Sequence, residues 1–271
     1  EINPRLPDMP NLAAIANSPV AVIKAWYLSK DGKYDEALAL LNRSTTINPY
    51  NMANEFVKAQ LFYRTNKLDS AFYYAQKGFN TRPSNIGFYG LITDISKARN
   101  DVPTIKQSFK QCVSRRNDVP NVWNKYIEAL LNLHYSQDSL LVIAQSAEKI
   151  FPEDKTIRKN KFMINAVFAS NKNDIDALLT NSLKIVEIDP QDYSYLENIG
   201  ACYLMQRKYQ QALPYLDKVI AAKAFSNGKS EYIKGLCLIN MGKKEEACPY
   251  IQMAATNGFM DAAQKMATYC K

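Results

Sequence analysis

From Pro19 onward apolar side chains recur three and four positions apart, the spacing that gathers one face of an α-helix. Val22, Ile23, Trp26 and Tyr27 form the first such face, and the polar stretch Lys30-Asp31-Gly32-Lys33 ends it as a turn. A second face runs from Tyr34 through Ala37, Leu38, Leu40 and Leu41 to about Ile47. Asn48-Pro49 stops it, because proline biases its predecessor away from helix. The plan then repeats. Phe56, Ala59, Gln60, Phe62 and Tyr63 predict a helix, Thr65-Asn66-Lys67 a turn, and Ala71, Tyr74, Ala75 and Phe79 a second helix before Arg82-Pro83.

The two units are in register. Gly32, Tyr34, Asp35, Glu36, Ala37 and Pro49 are answered 34 residues later by Asn66, Leu68, Asp69, Ser70, Ala71 and Pro83. Ile86 to Asn117 keeps the rhythm with Tyr89, Ile92 and Ile95, then Ile105, Phe109 and Val113, and Pro103 is expected in the first turn of its second helix. Trp123, Tyr126, Ile127 and Leu130 pair with Leu140, Leu141, Ala144 and Ala147. Phe162, Ala166 and Phe168 pair with Ile175, Leu178, Leu179, Leu183 and Val186. Ile199, Gly200, Tyr203, Tyr209, Ala212 and Leu216 are followed by Gly235, Leu238, Gly242, Ala247 and Ile251 at a spacing of 35, with a short insertion near Ala224 to Gly228. A last amphipathic stretch, Asp261 to Cys270, reads as a cap over an otherwise exposed stacking face.

A period of 34, small residues at Ala25, Ala37, Ala59 and Ala71, and proline after the second helix resemble the tetratricopeptide repeat family. The resemblance implies an all-α fold, a right-handed superhelical α-solenoid of about seven helix-turn-helix pairs plus a C-terminal capping helix. The expected organisation is an extended leader over 1–17, whose Pro4, Pro7 and Pro10 oppose helix, and repeats at roughly 18–51, 52–85, 86–120, 121–153, 154–190, 191–227 and 228–259. The cap follows at 260–271. In this pattern small side chains let paired helices approach and bulky neighbours fill the grooves between ridges, so the chemistry of the motif is packing.

Composition adds bounds rather than detail. With 271 residues, 47% of them hydrophobic and 22% charged, the chain is globular material. No apolar run nears the roughly 20 residues that cross a bilayer, so no membrane insertion is expected; Leu140 to Ala144 is stopped at once by Gln145 and Ser146. The chain starts at Glu1 without an evident leader, and any targeting segment or anchor is expected upstream or removed. The net charge of +8 is uneven, +6 over residues 1–120 and +2 thereafter. Lys97 to Arg116 holds six cations against Asp101 and is read as a solvated ridge that steers an acidic partner; nucleic acid is not expected as a ligand. Five cysteines without Cys-x-x-Cys spacing argue against a disulfide framework and a zinc site, and read as buried thiols. Cys248 and Cys270, on elements that must pack together, are the pair placed to bridge in an oxidising compartment.

Catalytic chemistry is hard to assemble. The single histidine, His134, sits at a helix-to-turn boundary without a nucleophile or carboxylate spaced to join it, and no phosphate-binding loop or dinucleotide fingerprint occurs. Glu153-Asp154 and Glu245-Glu246 are helix-start residues that favour the positive end of the helix dipole. No enzyme, cofactor or metal site is expected.

The resemblance points instead to the groove lined by the first helix of each pair. Its inward positions here carry Val22, Trp26, Ser29 and Lys30, then Phe56, Gln60, Tyr63 and Arg64. A peptide-binding groove of Trp26, Lys30, Phe56, Gln60, Tyr63 and Arg64 is therefore expected, with aromatics stacking on an extended protein or peptide ligand and cations meeting its carboxylates. The competing reading is that Trp26 and Phe56 simply pack between helices. The paired Lys and Asn that clamp chaperone tails in this family are replaced by Val22, Trp26 and Phe56, which argues against that ligand. In the last two units the same positions are Glu197, Ala201, Leu204, Met205, Tyr232, Leu236, Ile239 and Asn240. So apolar a set calls for cover by the cap, a partner or a second copy, which admits a homodimer.

A narrower resemblance rests on Asn48-Pro49-Tyr50, Glu55 to Gln60, Lys67 to Ala75, Arg82-Pro83-Ser84-Asn85 and the ending Glu245 to Lys271. These segments are similar to soluble repeat tails of Bacteroidetes membrane proteins of the O-antigen ligase or polymerase type. That likeness implies a periplasmic or envelope-associated scaffold or, alternatively, an accessory recognition domain of a polysaccharide-assembly membrane protein separated from its membrane part.

Overall fold

The computed structural model describes residues 20–47 and 52–270, and every regular element among them is an α-helix. The expected leader and the Asn48-Pro49 junction lie outside the described residues. In order the helices are α1 (Val20–Lys30), α2 (Tyr34–Ile47), α3 (Met52–Arg64), α4 (Leu68–Thr81), α5 (Ile86–Ala98), α6 (Val102–Val113) and α7 (Pro120–Asn132). There follow α8 (Gln137–Ile150), α9 (Lys155–Asn171), α10 (Ile175–Ile188), α11 (Tyr193–Met205), α12 (Tyr209–Ala221), α13 (Lys229–Asn240), α14 (Lys244–Thr256) and α15 (Met260–Tyr269). The fold is an all-α helical-repeat solenoid, and the chain divides between Tyr135 and Ser136 into two compact units.

In the first unit the turns after α1, α3, α5 and α7 are each closed by one residue in the left-handed region: Gly32, Asn66, Asn100 and His134, with φ of 77°, 57°, 57° and 54°. They stand 34 residues apart, so the repeat register persists through the segment where the sequence pattern is most worn. Glycine, asparagine and histidine are among the residues that tolerate this conformation, which accounts for His134 without any catalytic role. The small-residue positions obey the same register. Ala25, Ala59, Thr93 and Ile127 are all buried, and the Thr93 hydroxyl donates to the Tyr89 carbonyl at 2.9 Å. Pro103 sits in the first turn of α6 as expected, behind Asp101, whose carboxylate accepts from the Thr104 N–H at 3.1 Å.

The first helices also touch one another in sequence, α1 with α3, α3 with α5 and α5 with α7. This row is the layer on which the candidate site is built. Behind it lie two apolar core clusters, one of Val22, Ala25, Ala37 and Leu41 with Val57 and Leu61, the other including Ala59, Phe79, Tyr89, Ile92, Ile95 and Val122. Among the described residues of this unit two charged side chains are buried, Glu55 and Lys58; Glu55 is sealed from solvent and accepts from Lys77 Nζ at 2.9 Å. Nearby, burial lowers the pKa of Lys58, whose ammonium donates to the Thr45 hydroxyl.

In the second unit the left-handed residues in the turns after α9, α11 and α13 are Asn173, Arg207 and Gly242, and glycines mark close helix crossings. A Cβ on Gly200 would lie 2.6 Å from Leu216 Cδ2, and one on Gly235 would lie 2.4 Å from Ile251 Cδ1, so these glycines let the paired helices meet. Gly228 ends the insertion after α12 with φ of 73° and with the Ala254 carbonyl 2.6 Å from where a Cβ would stand, so conformation and space both demand glycine. Asp154 and Asp174 cap α9 and α10 through the Ile157 and Ala177 N–H groups. Lys159 ties α9 to the loop before α11 by donating to Asp189 at 2.7 Å and Asp192 at 2.9 Å. Burial alone would lower the lysine pKa, but those two hydrogen bonds outweigh it and raise it.

The cap behaves as expected at the end of a stack. On α15 Ala262 is buried against Ile251 and Ala254, with Tyr232, Ile239, Phe259 and Cys270 packed around them. The expectation of free thiols is corrected here. Cys112, Cys202 and Cys237 are buried thiols, whereas Cys248 and Cys270 form a disulfide with Cα atoms 5.5 Å apart. The physical reason is the docking of α15 on α14, which brings the two Cα atoms within bridging distance.

Candidate functional site

All six residues expected in the groove lie together on the first-helix layer of the first unit. Two adjoining clefts make it up. One, of about 250 Å³, is lined by Trp26 and Ser29 of α1, Val57, Gln60, Leu61, Tyr63 and Arg64 of α3, and Leu91 and Asp94 of α5. The other, of about 340 Å³, is lined by Phe56 and Gln60, by Ile86, Gly87, Tyr89, Gly90, Leu91 and Asp94 of α5, and by Asn121 and Lys125 of α7. Gln60, Leu91 and Asp94 belong to both, so the clefts form one groove across four helices.

The side chains differ in how far they are committed to the core. Trp26 is 38% exposed, with the Lys30 ammonium 3.8 Å from its ring centroid and Tyr27 edge-on to it at 4.9 Å. Phe56 and Tyr63 are half-buried and pack on the core cluster of Phe79, Phe88 and Tyr89, and Phe56 meets Phe88 edge-to-face at 5.3 Å. These two both line the groove and hold the fold, so the packing reading of Phe56 is true in part. Arg64 has no carboxylate partner among the described residues, and the Gln60 amide has no hydrogen-bond partner among them. An unpaired guanidinium and an unpaired primary amide on one wall can receive a carboxylate and a peptide group, respectively.

Sequence reasoning stopped at α3 and missed the α5 and α7 side of the groove. Gly90 and Asp94 fall one period after Phe56 and Gln60, a signal that was present in the chain. Asp94 accepts from Lys125 Nζ at 2.8 Å, so this acid and this base neutralise each other at the far wall. Tyr89, at the floor, donates to the Val122 carbonyl at 3.2 Å, and burial drives its pKa upward. It is a neutral structural phenol.

The other singled-out features fall outside the groove. In the basic stretch, Arg99 lies over the Phe72 ring at 4.8 Å and near Asp69 at 3.6 Å, Lys106 lies over the Tyr135 ring at 4.4 Å, and Arg116 pairs with Asp118 at 2.9 Å. Lys110 and Arg115 are exposed. Burial pushes the Cys202 and Cys237 thiols up to about 11, which leaves them protonated and unreactive at neutral pH. Among the described residues no three His, Cys, Asp or Glu side chains gather as a metal ion would need, and no helix is long and apolar enough to cross a membrane. In the second unit, Glu197 is buried and receives Ser230 at 2.6 Å and Lys229 at 2.7 Å, while Tyr232 is covered by Phe259 with ring centroids 4.7 Å apart. The expected cover thus comes from the cap at Tyr232 and Ile239, and Met205 stays 65% exposed.

Protein-family models and curated proteins give no match to the sequence. Solved structures do. A tetratricopeptide repeat protein from Parabacteroides merdae superposes with a TM-score of 0.57 at 12% identity, covering 93% of this chain and 98% of that one. Pseudomonas aeruginosa PilF gives 0.57 at 12% identity over 80% and 97% of the two chains. Yeast Tom70 gives 0.64 at 12% identity over 92% of this chain and 54% of its own. At such identities the likeness concerns architecture, and with the 34-residue register and the helix pairs it establishes that this chain has the tetratricopeptide repeat fold.

Proposed function

We propose that the protein is a non-enzymatic scaffold whose first unit binds an extended peptide segment of a protein partner along α1, α3, α5 and α7. The observation that carries this reading is the pair of clefts joined at Gln60, with the free Arg64 guanidinium and the Lys30-capped Trp26 ring on the same wall. An extended chain has unpaired amides that Gln60 can meet, apolar side chains that Trp26 can stack, and carboxylates that Arg64 can pair. The surplus positive charge of the first 120 residues favours an acidic partner. Among the structural neighbours, PilW is described as a type IV pilus biogenesis factor, which fits assembly roles for this architecture. The seven-repeat division belongs to the same proposal.

The Cys248–Cys270 bridge favours an oxidising compartment, which supports the expectation of a periplasmic or envelope-associated scaffold. The second reading, an accessory recognition domain of a polysaccharide-assembly membrane protein, rests on the sequence resemblance and is equally compatible with that bridge. The exposed Met205 leaves room for a second copy on the second unit.

Selection of a random peptide library displayed on phage against the whole chain tests the groove. Enriched acidic peptides should lose at least about tenfold in affinity for Trp26→Ala and Arg64→Ala, as truncated interface anchors do. Binding that ignores both substitutions would refute the groove.

A further inference from the structure

Glycine in the interior of a helix is disfavoured against alanine, so each such glycine calls for a local reason. Gly200 and Gly235 have one, in the side chains of Leu216 and Ile251, and so does Gly78, where a Cβ would stand 2.1 Å from the Phe88 ring. Gly90 has none. It lies inside α5 at ordinary helical geometry, and a Cβ there would meet only the Lys125 stem, at 3.5 Å from Cε and 3.7 Å from Cδ, which is van der Waals distance. What an added side chain would occupy is the 340 Å³ cleft.

We infer that Gly90 is the floor of a specificity pocket that takes an aromatic side chain of an acidic peptide segment. The inference rests on the groove reading above and adds to it the residue class at one ligand position. The shape argues for an aromatic: Phe56, Ile86 and Leu91 offer apolar walls, and the missing Cβ opens the flat helix surface between them. The rim argues for an acidic neighbour. Asp94 is neutralised by Lys125, which leaves the groove the Arg64 guanidinium and the Lys30 ammonium, neither with a carboxylate partner among the described residues. Gln60, on both clefts, can pair with the peptide group between the two anchors.

The experiment compares the whole wild-type chain with Gly90→Ala and Gly90→Leu, using the same phage-displayed random library. Wild type should enrich peptides carrying Phe, Tyr or Trp near Asp or Glu. Gly90→Leu, whose side chain fills the cleft and displaces only the flexible Lys125 stem, should lose the aromatic enrichment and bind wild-type peptides at least about tenfold more weakly. Gly90→Ala should bind a few-fold more weakly while its Tm rises by about 2–4 °C, since the helix improves and nothing clashes. That opposed pair of effects cannot come from misfolding. If Gly90→Leu binds the wild-type peptides unchanged while Arg64→Ala abolishes binding, the pocket is refuted and the groove stands. If Gly90→Ala lowers Tm, the glycine is structural and the inference falls. Enrichment of peptides without aromatics also overturns it, and no enrichment by wild type overturns pocket and groove together.

Discussion

The two units use one repeat plan to opposite ends. In the first, the inward positions of the first helices carry Trp26, Gln60 and Arg64 beside open clefts, and a helix-interior glycine, Gly90, faces space. In the second, the corresponding positions carry Ala201, Met205, Leu236 and Asn240, the interior glycines Gly200 and Gly235 face Leu216 and Ile251, and a disulfide-clasped cap closes the end. A stacked array satisfies its apolar surface between neighbours. A row that keeps aromatics on its surface, with a guanidinium and an amide that have no partner among the described residues, holds groups that stacking does not use, and the proposed groove rests on them.

The largest expected effect lies at the clasp. The bridge closes a loop with a sequence separation of 22, so its loss should cost about 3 kcal/mol in the second unit. Thermal unfolding with and without a dithiol reductant, alongside Cys248→Ser, measures it, and amide exchange in α15 should accelerate while α3 and α5 keep theirs. An unchanged Tm on reduction would make the clasp irrelevant to stability.

Next in size is the glycine contrast. Gly200→Ala should destabilise by about 1–2 kcal/mol, the overpacking against Leu216 exceeding the helix-propensity gain of about 1 kcal/mol. The same substitution at Gly90 should stabilise by up to about 1 kcal/mol. Denaturant midpoints for the two variants give the signs directly, and equal signs would erase the distinction between the units.

The smallest effect is a pH dependence in the second unit. A hydrogen bond from Lys159 holds the Asp189 carboxyl below the ordinary carboxylate range. Its folded pKa lies below its unfolded one, so its contribution is full above about pH 4 and is lost as the pH falls through that value and below. Because the carboxylate is 37% exposed, solvent screening keeps the contribution under about 1 kcal/mol. Asp189→Asn should shrink the Tm difference between neutral and acidic solution; an identical difference in both proteins would leave Lys159 held by Asp192 alone.

Much of this was legible in the chain. Helical period, turn residues and the spacing of 34 between Ala37 and Ala71 specify the pairs, because each records a local requirement of conformation or contact. The worn segment was harder. At Thr93 and Ile127 larger side chains stand where Ala25 and Ala59 mark the crossing elsewhere, so composition hides a register that the left-handed turn residues Asn100 and His134 preserve. Half of the lining of the proposed groove, the aromatics and cations of α1 and α3, was readable in the chain. The other half was not, since Gly90 speaks by what it lacks, and Asp94 becomes part of a neutral pair only through Lys125, 31 residues away. The clasp was one of two readings for its cysteines, and only the docking of α15 on α14 decides between them.

The central claim is that the first-helix row of the first unit is the surface that meets a partner. Hydrogen–deuterium exchange of the whole chain, with and without a saturating phage-selected peptide, tests it most directly. The account predicts added protection in α1, α3 and α5, weaker protection in α7, and none in α11, α13 or α15. Protection confined to α11, α13 and α15, with α3 and α5 unchanged, would contradict it.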